Sequence, residues 1–176
     1  ELFRMYPDDE RFETGDVAVD TGAAGDVDQT AAKRRYSAKY GDPDRTRGRP
    51  RVNAAVRKAV RTVLEGERRH AAVSVTFLGR EAMRQMNHRH KGHDFPTDVI
   101  SFALPDPRGG LLGDLYICRW QAEREARRRG LPLREELLRL VIHGTLHILG
   151  WDPDDGAGRE ASTMWVRQER YLRTVL

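Results

Sequence analysis

The stretch that decides the fold runs from Val141 to Asp152 and reads VIHGTLHILGWD. His143 and His147 are four residues apart, so on a helix they project from one face, one turn apart. This is the geometry by which a helix offers two imidazoles to one metal ion. Gly150 follows the last apolar pair and favours the left-handed conformation that ends a helix. The chain should therefore reverse beside the imidazoles, and we expect a third ligand in the turn.

The turn after this helix carries three carboxylates, Asp152, Asp154 and Asp155. We favour Asp154 as the metal ligand, because Pro153 turns the chain there, and we keep Asp152 and Asp155 as alternatives. Two imidazoles and one carboxylate would leave the fourth position of a zinc ion to water, a hydrolytic nucleophile. Two histidines packed in a core and aspartates that cap a helix are the competing interpretation.

The residue after the first histidine distinguishes this stretch from the zinc proteases. Those enzymes carry His-Glu-x-x-His, in which the glutamate is the general base. Gly144 occupies the glutamate position in this sequence. Peptide hydrolysis by that route is therefore disfavoured.

Three blocks of the sequence resemble the YbeY endoribonucleases, the bacterial rRNA maturation factors. They read HGTLHILGWD from His143, DFPTDVISF from Asp94 after Asn87, and LGDLYIC from Leu112. The resemblance extends roughly over residues 52–176, with the blocks in the family's order. It implies one zinc ion, single-stranded ribosomal RNA as the substrate, and a role with the small ribosomal subunit in rRNA maturation and ribosome quality control. It implies no small-molecule cofactor.

Two positions depart from the family's pattern. Pro153 stands where the family has its third zinc-binding histidine, and proline has no side-chain donor for a metal. Lys91 stands where the family has an arginine, four residues after Asn87. Lysine still offers a point charge to phosphate but loses the bidentate fork of arginine. With His143, Lys91 is our candidate catalytic residue.

RNA contacts are expected near the end of the second predicted helix and on the strand that follows it. Lys91 and Arg89 are the candidate phosphate contacts, with Ser101 as a third RNA-binding residue. The resemblance places Ser101 in the cleft around the metal together with Asp98 and Asp114. The competing interpretation of these last residues is capping and hydrogen bonding at strand ends.

A second group of histidines, His88, His90 and His93, precedes Pro96. Spacings of two and three in a polar segment give these side chains no shared helical face. The matching family positions are not metal ligands. We interpret them as solvated or phosphate-facing residues rather than as a second metal site.

Length and composition indicate one globular domain. The chain has 176 residues, of which 33% are charged and 39% hydrophobic. No run approaches the ~18 apolar residues that a membrane span needs, and the first residues do not form a signal peptide. We therefore expect a cytoplasmic protein without a membrane partner. A single cysteine, Cys118, excludes an intramolecular disulfide and a zinc site of several cysteines.

Charge is distributed unevenly along the chain. Residues 1–32 carry nine acidic and two basic side chains, and the remainder carries 29 basic and 18 acidic ones. A basic body suits a polyanion such as RNA. The competing interpretation is that arginine clusters, such as Arg127 to Arg129, form solvated helix faces.

Pattern and composition divide the chain into two parts. Residues 1–50 are polar and rich in Gly and Pro, which predicts a poorly ordered extension with 17–19 as its one candidate strand. Residues 51–176 predict helix, strand, helix, two strands and three helices, the last from Gly158. This order is typical of a small α+β domain with a mixed sheet of about four strands, packed by helices, around a central metal-bearing helix.

Two functions of different classes follow from these features. The first is a zinc-dependent endoribonuclease that acts on single-stranded ribosomal RNA. The second is a metal-poor, catalytically weak protein of the same type that binds RNA or the ribosome as a maturation factor. Pro153 is the residue that keeps the second interpretation open.

Overall fold

The computed structural model describes residues 3–4, 14–20, 50–107, 109–152 and 162–176. Within these ranges the helices and strands follow the predicted order. The helices are α1 (Pro50–Gly66), α2 (Arg80–Lys91), α3 (Arg119–Arg129), α4 (Leu133–Ile148) and α5 (Thr163–Val175). The strands are β1 (Phe3–Arg4), β2 (Thr14–Asp20), β3 (Ala71–Leu78), β4 (Val99–Pro105) and β5 (Leu111–Cys118).

The sheet is mixed, with the strand order β1-β2-β3-β5-β4. Strand β5 lies between β3 and β4, parallel to β3 and antiparallel to β4. The α+β class is therefore confirmed, but the described residues form a sheet of five strands in place of about four. Strand β1 has two residues, too few to show the alternation by which a strand is recognised in sequence.

The N-terminal residues 1–49 are described only at β1 and β2. Strand β2 contains the candidate strand 17–19 and pairs antiparallel with β3. The division into an extension of residues 1–50 and a domain of residues 51–176 stays a prediction.

Helix α4 is the central helix of the fold. It contacts α1, α3, α5, β4 and β5, and its side chains Val141, Ile142 and Leu146 are fully buried. A Cβ atom at Gly144 would lie 2.0 Å from Cδ1 of Leu115. Because Gly144 has no side chain, α4 can lie close against β5 at the helical turn between His143 and His147.

The opposite face of the sheet is covered by α2. Met83 of this helix is buried in a smaller cluster with Leu78, Ile100 and Cys118. Burial raises the pKa of the Cys118 thiol, so this residue behaves as the small buried apolar group that its sequence context suggests.

The helix ends near the histidines are set by local interactions. Gly150 has a φ of +87°, in the left-handed region that ends a helix, as predicted. The last helix spans Thr163–Val175, and the Ser162 hydroxyl caps its start by accepting a hydrogen bond from the Trp165 backbone N–H at 3.2 Å. Gly158, where the sequence predicts the start of this helix, lies outside the described residues. Within the described ranges, no helix has the length and apolar character needed to cross a membrane.

Candidate metal centre

Helix α4 brings the two predicted imidazole ligands together. The Nε2 atoms of His143 and His147 lie 3.1 Å apart. The ring centroids are 4.6 Å apart and the ring planes meet at 83°. Both rings are partly buried. One nitrogen of each ring therefore points at the same small volume.

The outer nitrogen of each ring has a partner that can only accept a hydrogen bond. Nδ1 of His143 lies 2.8 Å from Oε1 of Gln168, and Nδ1 of His147 lies 3.3 Å from Oδ1 of Asp152. Each Nδ1 should then carry the proton of a neutral ring, which leaves a lone pair on each Nε2. Two lone pairs that face each other at 3.1 Å repel unless a cation or a proton lies between them. The donor set therefore fits a metal ion that accepts nitrogen ligands.

The described residues do not supply a third ligand. Across residues 54–107, 109–152 and 162–176, no group of three or more His, Cys, Asp or Glu side chains could hold a metal ion. Asp154, Asp155 and Pro153 lie outside the described residues, so the favoured ligand stays a prediction. The alternative Asp152 is described, and its carboxylate faces the outer nitrogen of His147. In this position it orients the imidazole ring, as outer partners of metal-bound histidines commonly do.

Gln168 is held in place by a chain of buried and partly buried polar groups. It is 1% exposed, and its Nε2 donates to Oε1 of Glu169 at 3.0 Å. Arg139 of α4 donates from Nε to the same oxygen at 2.9 Å. Burial acts to raise the pKa of Glu169, but hydrogen bonds from Arg139 and Gln168 outweigh it and lower the pKa. Glu169 is therefore a carboxylate acceptor between the two donors.

The turn after α4 is anchored to Glu67, the residue that follows α1, and to α5. The indole Nε1 of Trp151 donates to Oε2 of Glu67 at 3.1 Å, and the guanidinium of Arg167 lies 4.1 Å from the Trp151 ring centroid. Burial acts to raise the pKa of Glu67, but hydrogen bonds from Tyr171, Arg167 and Trp151 lower it. These contacts hold Trp151 in place. Because Asp152 is the next residue, they also set the position of its carboxylate beside His147.

A groove of about 490 Å³ opens beside His143. Residues 95–98, which lead into β4, form part of its lining, and arginines of α3 form another part. Two of the arginines predicted to form a solvated face, Arg128 and Arg129, line this groove. Arg128 pairs with Glu125 and Arg129 with the buried Glu136. Other lining residues include Phe95, Arg124, Arg139, Trp165 and Gln168.

The predicted RNA contacts at the end of α2 lie apart from the groove lining. Lys91 and Arg89 are exposed at the C-terminal end of the helix and are not among the described residues that line the groove beside His143. Ser101 lies opposite Leu115 in the β4–β5 register. Because Leu115 contacts α4, Ser101 lies on the same face of the sheet as the histidine helix. The roles of all three residues stay predictions.

The two aspartates that the resemblance places in the cleft lie in different environments. Asp98 lines the groove with His143, and its Oδ1 accepts a hydrogen bond from the Val99 backbone N–H at 2.9 Å. Asp114 follows Gly113, which faces α4, so alternation along β5 turns its side chain to the opposite face of the sheet. There it accepts a hydrogen bond from the Ser74 hydroxyl. The expectation that Asp114 lines the cleft is therefore wrong.

Sequence reasoning missed Gln168. The buried positions of α5 recur at helical spacing, and Gln168 occupies one of them among Met164, Tyr171, Leu172 and Val175. A lone polar residue on an apolar stripe needs a buried hydrogen-bonding partner. The polar residue among apolar positions was visible in the sequence, but the sequence did not indicate that His143 is its partner.

The family follows from comparison with known proteins. The family model described as Endoribonuclease YbeY matches residues 43–175. The chain belongs to the YbeY family. The Endoribonuclease YbeY of Persephonella marina is 35% identical over 125 residues, which cover 68% of this YbeY chain and 81% of that protein. The Endoribonuclease YbeY of Alkalilimnicola ehrlichii is 39% identical over 126 residues, which cover 68% and 75%.

A solved structure has a fold similar to that of this chain. The solution structure of a Thermotoga maritima protein matches it with a TM-score of 0.53 and 28% sequence identity. The match covers 73% of this chain and 85% of the Thermotoga chain.

Proposed function

We propose that this YbeY protein is a zinc-dependent endoribonuclease of the bacterial cytoplasm. Its substrate would be single-stranded regions of ribosomal RNA, during small-subunit rRNA maturation and ribosome quality control. The observation that carries the proposal is the meeting of two imidazole nitrogens at 3.1 Å, each with its outer nitrogen beside an acceptor. The name Endoribonuclease YbeY of its relatives supports RNA as the substrate.

The residues that would hold zinc are His143, His147 and a carboxylate of the following turn, with Asp154 favoured. When bound, zinc would act as a Lewis acid: it would make water nucleophilic near neutral pH and stabilise negative charge on phosphoryl oxygens. The part of this chain is to hold the imidazoles at a fixed separation. Gln168 and Asp152 contribute by accepting hydrogen bonds from the outer nitrogens.

The groove beside His143 offers a path for the RNA strand. Arg124 is exposed in its lining, and among the described residues it has no carboxylate partner, so its charge is available to a phosphate. Phe95 is 57% exposed in the same groove, and a base can stack on the face of its ring that His93 does not cover. Lys91 and Arg89 would hold the backbone farther along the strand, with Ser101 near the histidine helix.

A second candidate function is an RNA- or ribosome-binding maturation factor with weak metal binding and weak cleavage. It is supported by Pro153, which gives the position after Asp152 no side-chain donor. The basic composition of the body would serve this function equally well, because phosphate contacts require no metal.

The metal content of protein purified without an affinity tag separates the two functions. We expect near-stoichiometric zinc by mass spectrometry, together with cleavage of single-stranded RNA that a chelator abolishes and added zinc restores. RNA binding without zinc and without cleavage would support the maturation factor and contradict the enzyme.

A further inference from the structure

The two imidazoles differ in how firmly their outer nitrogens are held. Asp152, beside His147, has a side chain that is 86% exposed, so water competes for its carboxylate. Gln168, beside His143, is 1% exposed and lies on α5, where it contacts α4. Resting on the zinc site of the proposed function, we propose that Gln168 is a positioning residue that fixes His143 with its proton on Nδ1 and its lone pair on Nε2.

The orientation of the Gln168 amide follows from its other partner. Glu169 is an anion and can only accept hydrogen bonds, so the NH₂ group of Gln168 must face it, as the 3.0 Å contact shows. The amide oxygen is then left to face His143, at 2.8 Å from Nδ1. If the amide were flipped, its oxygen would face the Glu169 carboxylate, so that two acceptors would meet. Its NH₂ group would then face Nδ1 of His143 and would offer that nitrogen a donor.

The Gln168 amide is held in place because Glu169, the carboxylate to which it donates, is itself held by Arg139. Arg139 donates from Nε to Glu169 at 2.9 Å and from Nη1 to Glu136 at 2.7 Å. Its side chain is 7% exposed. Since Arg139 and His143 lie one turn apart on α4, the path from Arg139 through Glu169 and Gln168 returns to the helix where it began. The imidazole of His143 is thus tied to its own helix through α5.

This arrangement determines which nitrogen of His143 can bind a metal. A neutral imidazole carries one proton, and an acceptor at Nδ1 keeps that proton away from Nε2. Loss of the Gln168 acceptor would let the proton move to Nε2 and let the ring rotate. Loss of an outer-shell partner of this kind typically lowers metal affinity about 10- to 100-fold.

The test compares Gln168→Leu with Gln121→Leu. Gln121 also lines the groove and is partly buried, but its amide donates to the Pro96 carbonyl and does not contact a histidine. Zinc affinity is measured by competition with a chromophoric chelator, and folding by circular dichroism. We expect Gln168→Leu to lose about 10- to 100-fold in zinc affinity with its helical spectrum retained. Gln121→Leu should bind zinc like the unchanged protein.

A double-mutant cycle tests the path behind the amide. Glu169→Ala removes the acceptor that orients Gln168, so alone it should lower zinc affinity by a smaller factor than Gln168→Leu. In the Gln168→Leu background the same change should have no further effect, because the group that it orients is gone. Equal and additive effects of the two substitutions would contradict the proposed path.

A spectroscopic measurement separates positioning from a purely structural role. In zinc-loaded protein with ¹⁵N-labelled histidine, His143 should show a protonated Nδ1 and a metal-bound Nε2, and Gln168→Leu should disturb this pattern for His143 alone. Zinc affinity and imidazole spectra unchanged in a folded Gln168→Leu variant would overturn the inference while the proposed function stands. Failure of the unchanged protein to bind zinc would overturn both.

Discussion

Two groups of histidines in this protein differ in every property that a metal site needs. His143 and His147 bring their Nε2 atoms to 3.1 Å, with an acceptor at each outer nitrogen. His88, His90 and His93, near the end of α2, are all exposed. A high number of histidines therefore does not by itself indicate a metal centre. A metal centre is indicated where ring nitrogens with free lone pairs point at one place and where an acceptor holds the other nitrogen of each ring.

The aromatic surroundings of the second group show what two of its members, His90 and His93, do instead. His93 stacks on Phe95, with ring centroids 5.3 Å apart and planes at 20°. His90 meets the edge of Phe102 at 5.0 Å between centroids. These rings pack against hydrophobic neighbours at the surface.

The largest expected effect comes from His143→Ala. It should remove zinc and RNA cleavage together, by more than the ~10- to 100-fold loss that an outer-shell change causes, and it should leave the fold intact. The matched change, His90→Ala, should leave zinc content unaltered. Zinc is measured by mass spectrometry and cleavage with a labelled single-stranded RNA. Cleavage that survives in His143→Ala would show that the metal mechanism is wrong.

Pro153→His should raise zinc affinity, by about tenfold or more. The substitution adds an imidazole in the turn directly after Asp152, where the resemblance places the family's third ligand. Chelator competition measures the gain, and Lys91→His, which adds an imidazole to the second group, is the control without gain. An unchanged affinity in Pro153→His would indicate that this position faces away from the histidines.

Gly144→Ala tests the close packing that the surface histidines lack. The new Cβ would meet Leu115, which is fully buried, so we expect a loss of about 1–3 kcal/mol in the free energy of unfolding. Alanine is the better helix former by about 1 kcal/mol, and a net loss would therefore show that packing dominates. Chemical denaturation gives the value, and His93→Ala should change it by less than about 0.5 kcal/mol. In a Leu115→Ala background the loss should shrink.

Lys91→Ala has the smallest expected effect. Removing one phosphate contact should weaken binding to single-stranded RNA and reduce the slope of log K against log salt by about 0.7. Zinc content should not change. Arg61→Ala, an exposed cation of α1, is the control for loss of net charge. If Lys91→Ala and Arg61→Ala give the same slope, the end of α2 makes no specific RNA contact.

The residues that sequence reasoning placed correctly are those whose neighbours are close in the chain. The end of α4 just before Gly150 and the spacing of His143 and His147 depend on contacts within one or two turns. The side of β5 on which Asp114 lies was not predicted correctly. It depends on the register of β5 against β3 and on which face α4 covers, and both come from distant segments.

The amino-acid sequence by itself determined the family, the central helix and the pair of imidazoles one turn apart on it. A repeat of 3.6 residues is a local property, which any isolated helix already contains. Only the tertiary structure decided what holds those imidazoles. Gln168 is 25 residues from His143 in sequence, and its amide reaches Nδ1 only because α5 packs beside α4. Glu169 and Arg139 then fix its orientation, since a buried amide must satisfy both of its ends.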